Sequence, residues 1–277
     1  MPGWQLLEVS GADAAAFVHA QTMNDVRALA SGRWQWNGWL TPKGRVITLF
    51  ALAMLDTQRF WLIVPDFSAA ELAARLQRFV FRSKLRLLVR EDACVSGAFV
   101  AAADAQGAQF AHDITSGGES ATFDWGGAGG ARSLRVAIGA GAGTAQDWPE
   151  AVARWNAYDL SHGLPHLPEA QREAWTPQML SLDRLHAFSL KKGCYPGQEI
   201  VARTHFLGQA KRELVRVAGS NLAAGAHVLA DGGTLGSVVV ATHDEALAVL
   251  AVERPPSGWS CAGTPCHQRP LLDGLAR

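Results

Sequence analysis

The chain has 277 residues, 48% of them hydrophobic and 18% charged, with 25 basic and 25 acidic residues that cancel to a formal net charge of zero. That length suggests two domains or three small ones. The neutral balance argues against a generic nucleic-acid binder, which carries a basic excess or stripe, although a local basic patch stays open.

Four cysteines, Cys94, Cys194, Cys261 and Cys266, include no C-x-x-C pair. No disulfide framework is expected, which fits a reducing cytoplasm, and no intrinsic metal site is expected. The first residues lack the basic-then-apolar pattern of a secretion signal, and no apolar run is long enough to span a membrane.

In chain order, residues 10 to 21 read as a helix. Ser10 is placed to cap it, and Ala14, Phe17, Val18 and Gln21 share one side. Asn24 and Asp25 follow, suited to closing that helix or turning the chain. Residues 34 to 40 and 45 to 52 read as strands around a turn at Thr41-Pro42-Lys43-Gly44. Trp34, Trp36 and Trp39 lie in the first of these strands. Core packing is the plain reading for them; an aromatic wall for a flat heterocycle, with Trp36 as the candidate, is the sharper one. Residues 59 to 64 form a further strand. Ser68 and Glu71 make a capping box, and the helix behind it sets Leu72, Leu76, Phe79 and Val80 on one face. A strand over 85 to 89 completes a ferredoxin-like α+β pattern.

Residues 97 to 145 are rich in Gly, Ala and Ser, with five residues at 126 to 130 reading Gly-Gly-Ala-Gly-Gly. This run lacks the Gly-Lys-Ser/Thr ending of a phosphate loop. A strand is expected near 134 to 138 and a helix over 149 to 160. None of the nine histidines shows H-E-x-x-H spacing.

Residues 191 to 199 read Lys191-Lys192-Gly193-Cys194-Tyr195-Pro196-Gly197-Gln198-Glu199. A cysteine between glycines, behind two lysines and ahead of a helix start, suits an accessible, partly ionised thiol. The glycines allow close backbone approach. Three roles stay open for Cys194: an inert thiol, a nucleophile served by His186 or His205, or a thiol for redox, cluster handling or transfer. Lys192 and Arg203 suit a thiolate or an anionic ligand tail, or they are solvated cations. Gln198 and Glu199 suit a heterocycle edge or merely the first helical turn. From residue 213 onward, short apolar runs broken by glycines suggest a small antiparallel barrel.

The Cys194 stretch, with Arg203 and then Gly208-Gln209-Ala210-Lys211-Arg212, resembles the signature of YgfZ-type folate-binding proteins of the glycine-cleavage aminomethyltransferase superfamily. Four further blocks are similar to that family: the segment from Gly11 to Val26, Leu40 to Arg45, Phe81 to Lys84, and Thr176-Pro177-Gln178. The resemblance implies an α+β aminomethyltransferase-like folate-binding fold, with a ferredoxin-like unit and a C-terminal β-barrel. It also implies a layout of residues 1–45 with 146–210, 46–145, and 211–277. A central pocket would take tetrahydrofolate or a derivative, with Asn24, Asp25, Trp36, Lys192, Tyr195, Gln198, Glu199 and Arg203 near it and Cys194 as the working thiol. The implied role is cytoplasmic support of iron–sulfur cluster assembly or repair and, through cluster enzymes, of tRNA modification. Its partners would be a reduced folate and cluster proteins, with no direct nucleic acid and no membrane. The alternatives are a folate-dependent one-carbon or aminomethyl transferase, and an interaction module without folate.

Two positions depart from the superfamily. Thr48 and Leu49 stand where aminomethyltransferases carry an acidic pair, so carboxylate-assisted aminomethyl transfer is not expected. Ser161 stands where a glutamate pairs with the pterin, and a hydroxyl cannot bind that edge bidentately.

Overall fold

The computed structural model describes residues 1–277 except 140, 141, 143–147, 207 and 209. Gln209 of the signature and the expected boundary at 145/146 therefore lie outside the described residues. The first unit contains β1 (Gln5–Ser10), α1 (Ala14–Gln21), β2 (Arg33–Leu40), β3 (Val46–Asp56), β4 (Arg59–Val64), α2 (Ala69–Gln77) and β5 (Arg86–Val89). Its strands form one antiparallel sheet in the order β2-β3-β4-β1-β5. Without the edge strand β2, the remaining order and the two helical crossovers are ferredoxin-like. The boundary expected at 45/46 falls inside this sheet, because β2 and β3 pair across it from Arg33↔Met54 to Leu40↔Val46.

Residues along β3 and β4 alternate between two cores, as the two-residue period of a strand requires. Leu49, Ala51, Ala53, Trp61 and Ile63 face one core; Phe50, Leu52, Met54, Phe60 and Leu62 face the other. The second core also holds side chains of α1 and α2, including Phe17, Val18, Leu72 and Leu76. The capping box forms, with Ser68 Oγ accepting the Glu71 N–H at 3.2 Å. The helix nevertheless stops at Gln77, and Phe79, expected on its core face, is 49% exposed. The first helix is shorter than expected because residues up to Ser10 pair as β1. Asp13 holds the N-cap position without a side-chain cap, its carboxylate accepting the Lys84 N–H instead.

A second sheet, β6 (Ala93–Ala98), β7 (Ala111–Thr115), β8 (Gly118–Asp124) and β9 (Ser133–Gly139), runs in the order β6-β9-β8-β7. It covers the first core together with α3 (Pro149–Ser161), contributing Phe123, Leu134, Val136 and Trp155. Charge ties the two sheets at their rim: Arg59 bridges Glu8 at 2.7 Å and Glu119 at 2.6 Å, and His112 contacts Glu119 at 2.6 Å. After α4 (Gln198–Phe206), the strands β10 (Arg212–Gly219), β11 (His227–Ala230), β12 (Gly233–Ala241), β13 (Glu245–Ala251), β14 (Trp259–Cys261) and β15 (Thr264–Arg269) close a barrel, in the order β10-β13-β12-β11-β14-β15. No helix among the described residues is long and apolar enough to cross a membrane.

Candidate functional site

The loop carrying Cys194 is held by a contact between glycines. A Cβ on Gly197 would lie 2.6 Å from Gly44 Cα and from Thr41 O, and one on Gly44 would lie 2.9 Å from Ile200 Cβ. Both residues have positive φ, +81° and +68°, so side chains are excluded twice over. Gly193, by contrast, has open space around it. Gln198 Nε2 donates to Lys192 O at 3.1 Å, and Gln178 Nε2 to Val201 O at 2.8 Å. Sequence blocks far apart in the chain thus meet at one loop.

Lys192 is the third anchor. Its side chain is buried and its ammonium donates to the carbonyl oxygens of His19, in the last turn of α1, and of Thr22 and Asn24 just beyond it. These bonds occupy all three N–H donors, so none remains for a thiolate or a ligand tail, and the expected role of Lys192 is corrected to a helix-end clamp. Burial lowers its pKa to about 8. Its Nζ also lies 4.7 Å from the centre of the Tyr195 ring. Tyr195 is buried, its hydroxyl has no hydrogen-bond partner among the described residues, and burial pushes the phenol up to about 12.

Cys194 itself is exposed. No histidine among the described residues hydrogen-bonds to it, so neither His186 nor His205 is placed as its base. Cys261 and Cys266 are buried in the barrel, and burial raises both thiols, Cys266 to about 11. Among the described residues no group of three His, Cys, Asp or Glu is arranged to hold a metal ion. We expect one fast-reacting thiol in the native protein. Titration with a chromogenic disulfide should show a rapid phase that Cys194→Ser removes; an unchanged rapid phase would assign the accessible thiol to Cys94.

Asn24 is tied into the fold by its own hydrogen bonds. Its amide donates to Trp36 O and His186 O, and its backbone N–H binds Asn37 Oδ1 at 2.9 Å. Glu199 and Arg203 are exposed in the first and last turns of α4, where their charges suit the helix dipole.

Trp36 belongs to a tryptophan cluster rather than to a ligand wall. Trp34 stacks on Trp125 at 4.8 Å and 4°, with Trp36 edge-on to Trp125 at 4.9 Å and Trp4 at 5.8 Å. Between Trp36, Leu49, Trp125, Leu164 and His166 only about 10 Å³ remains, the room of a single water. A pterin ring does not fit in that space beside Trp36. Thr48 and Leu49 are buried. Ser161 turns its hydroxyl back to Tyr158 O at 2.8 Å.

Residues 270–277 complete the closure, which nothing in the sequence reading anticipated. Leu272 N–H donates to Ser161 O, Ala128 N–H to Asp273 O, and Trp36 Nε1 to Leu275 O at 2.7 Å. The Gly-rich run is the cradle for this segment: a Cβ on Gly127 would meet the His162 ring at 2.9 Å and Asp273 O at 3.1 Å. Behind it, Arg132 and Asp159 form an ion pair at 2.6 Å with both side chains fully buried.

A cleft of about 880 Å³ opens beside the Cys194 loop, lined by Asn24, Asp25, Gln35, Ser181, Asp183, His186, Phe188, Lys191, Arg212 and Glu213 among others. Ser181 and His186 sit there with φ of +48° and +55°, strain of the kind that concentrates at functional sites. The cleft offers an aromatic ring, carboxylates and cations together, which is the chemistry a folate needs: an amidine edge to pair with a carboxylate and a tail to pair with a base.

No protein-family model matches the chain. It is 27% identical over 236 residues to the tRNA-modifying protein YgfZ of Vibrio vulnificus (strain CMCP6), covering 78% of this chain and 68% of that one. It is 26% identical over 230 residues to the YgfZ of Cronobacter sakazakii, covering 78% and 69%. An uncharacterised Haemophilus influenzae protein is 29% identical over 213 residues, covering 76% and 69%. Among solved structures, the glycine cleavage system aminomethyltransferase T from Bartonella henselae superposes with a TM-score of 0.75 at 16% identity, covering 97% of this chain and 83% of that one. The resemblance and the fold read from the sequence are both borne out.

Proposed function

We propose that this chain, a YgfZ-type protein with the aminomethyltransferase-like fold, binds a reduced folate and supports iron–sulfur cluster assembly or repair, and through cluster enzymes tRNA modification. The observation that carries the reading is the Cys194 loop. Three separate sequence blocks are spent on presenting one exposed thiol, three residues from Lys191 at the edge of the cleft. Clusters are held by about four protein ligands, so a single thiolate handles one only together with a client that supplies the rest. The folate, tetrahydrofolate or a derivative, takes the cleft beside the Cys194 loop rather than the space beside Trp36. Asp25 or Asp183 faces its pterin edge, and Lys191 or Arg212 its carboxylates. A buried Leu49 in place of a carboxylate disfavours the aminomethyl-transferase alternative. A cytoplasmic site of action suits a protein that works through a free thiol.

Two measurements test this. Calorimetry with tetrahydrofolate should give saturable binding that Asp183→Ala weakens; no binding at millimolar ligand removes the folate. In cells lacking their own YgfZ-type protein, the wild-type chain should restore a cluster enzyme's activity and the modified-nucleoside content of tRNA. Rescue by Cys194→Ser equal to wild type would remove the thiol from the function.

A further inference from the structure

The segment after α2 keeps two aromatic rings in water. Phe79 is 49% and Phe81 76% exposed. Residues 72–90 contain six basic residues and no acidic one. Of these, Arg78, Arg82, Lys84 and Arg86 are exposed, and among the described residues none of their side chains makes an ion pair or a hydrogen bond. Arg82 only lies over the Phe81 ring, at 5.1 Å. The other two of the six, Arg75 and Arg90, meet carboxylates, as do Arg59, Arg132, Arg216 and Arg254 elsewhere.

The display is built rather than frayed. Lys84 N–H donates to Asp13 Oδ2 at 2.6 Å, and Asp13 N–H to Lys84 O. A Cβ on Gly11 would lie 2.3 Å from Lys84 O, so this backbone approach requires glycine. Arg82 is held at φ +57°. The neighbouring β5 is an edge strand. Water-exposed aromatics and a strained, non-glycine residue both cost stability, and here a rigid turn maintains them together.

We infer that this turn is a docking surface for single-stranded RNA, with bases stacking on Phe79 and Phe81 and phosphates pairing with Arg78, Arg82, Lys84 and Arg86. Aromatic faces interleaved with unpaired cations are the recognition chemistry of single strands. Two phenylalanines beside four cations are a small apolar area for holding a bilayer, which favours the polynucleotide. The zero net charge of the chain does not oppose this, because binding follows the local field and not the average.

Fluorescence anisotropy with a labelled oligouridylate 12-mer tests it on the whole chain. Saturable binding is expected, with log affinity falling against log salt at a slope of about −3, from four phosphates at about 0.7 each. Phe81→Ala should weaken binding by roughly 5- to 100-fold, the loss of about one stacked base. Arg82→Glu should weaken it and flatten the slope, with the melting temperature of both variants near wild type. Absence of binding overturns the inference, as does an affinity unmoved by Phe81→Ala. So does a patch that Phe81→Ala disables for anionic phosphatidylglycerol vesicles but not for RNA. None of these outcomes bears on the folate titration.

Discussion

Asp159→Asn should lower the free energy of unfolding by about 3–5 kcal/mol, the cost of removing one partner from a buried ion pair. Arg132 has no exposed surface, and among the described residues its carboxylate contact is Asp159 Oδ1 at 2.6 Å; it also donates to Trp125 O at 3.2 Å and Trp155 O at 3.4 Å. The guanidinium is packed 3.7 Å from the Tyr158 ring centre and 4.1 Å from that of Trp155, so it cannot swing to water. An amide keeps the shape and removes the charge. Urea denaturation measures the loss, and Arg132→Met with Asp159→Leu should recover much of it, since apolar replacements of such pairs are often tolerated. The same aspartate also holds His166, at 3.0 Å from Oδ2, with Asp66 at 2.8 Å on the other ring nitrogen. Burial alone would lower this imidazole, but Asp66 and Asp159 override it and raise it to about 10. A raised histidine stabilises fully below its unfolded value of about 6.5, and that contribution is lost as pH climbs toward 10. Lys192, lowered to about 8, has the opposite sign and adds stability from pH 8 upward. His19 and His162 are both lowered, chiefly by burial, and act below pH 6.5. Stability should therefore fall by up to about 2 kcal/mol between pH 6.5 and 8, then level off. In Asp159→Asn the fall should be shallower.

What the sequence made legible was local. The apolar strand-like runs of β2 to β4, the Ser68 cap and the glycine-punctuated runs of the barrel are signals carried by neighbours in the chain, and the elements form where expected. Tertiary context overrode the same reasoning at Phe79. Its helical spacing suited the core, but the chain has to turn at 78–84 to reach Gly11, so the helix ends first. Lys192 differs from its expected role for a related reason. A lysine two residues before a cysteine suggests thiol activation, and only the fold brings the carbonyls at the end of α1, some 170 residues away, within its reach. Trp36 was ambiguous between core and ligand wall because a strand pattern says which face a ring takes and not what covers that face. Its cover is Trp125 and residues 270–277, one from the middle of the chain and the other from its end. The residues lining the cleft carried little signal, since Asp183 and His186 stand in an irregular stretch with no motif of their own. One sign of the closing segment was present in the sequence: the apolar run Leu271-Leu272 with Leu275, beyond the last barrel strand, had no place in a barrel.

That segment gives the second large effect. Gly274→Val should lower stability by about 2–4 kcal/mol and the melting temperature by roughly 5–10 °C. Gly274 has φ +98°, and a Cβ there would meet Gly127 Cα at 2.9 Å and Ala128 N at 3.0 Å. Both obstacles are backbone, so nothing can rotate aside, and the left-handed conformation penalises a β-branched side chain independently. The segment would have to lift, and three losses follow. Leu275, 2% exposed, leaves the core it shares with Trp36 and Trp125. Trp36 Nε1 loses its acceptor inside an apolar cluster, where an unsatisfied N–H costs about 1–3 kcal/mol. Arg277, which bonds Asp124 O and Gly126 O and lies over Trp34 at 5.4 Å, loses its seat. Differential scanning calorimetry reads the stability change, and a red shift of tryptophan emission reads the wetting of the cluster. A passive tail would show neither. The Gly-rich run would then need another reason for having no side chain at 127, where a Cβ would collide with both His162 and Asp273.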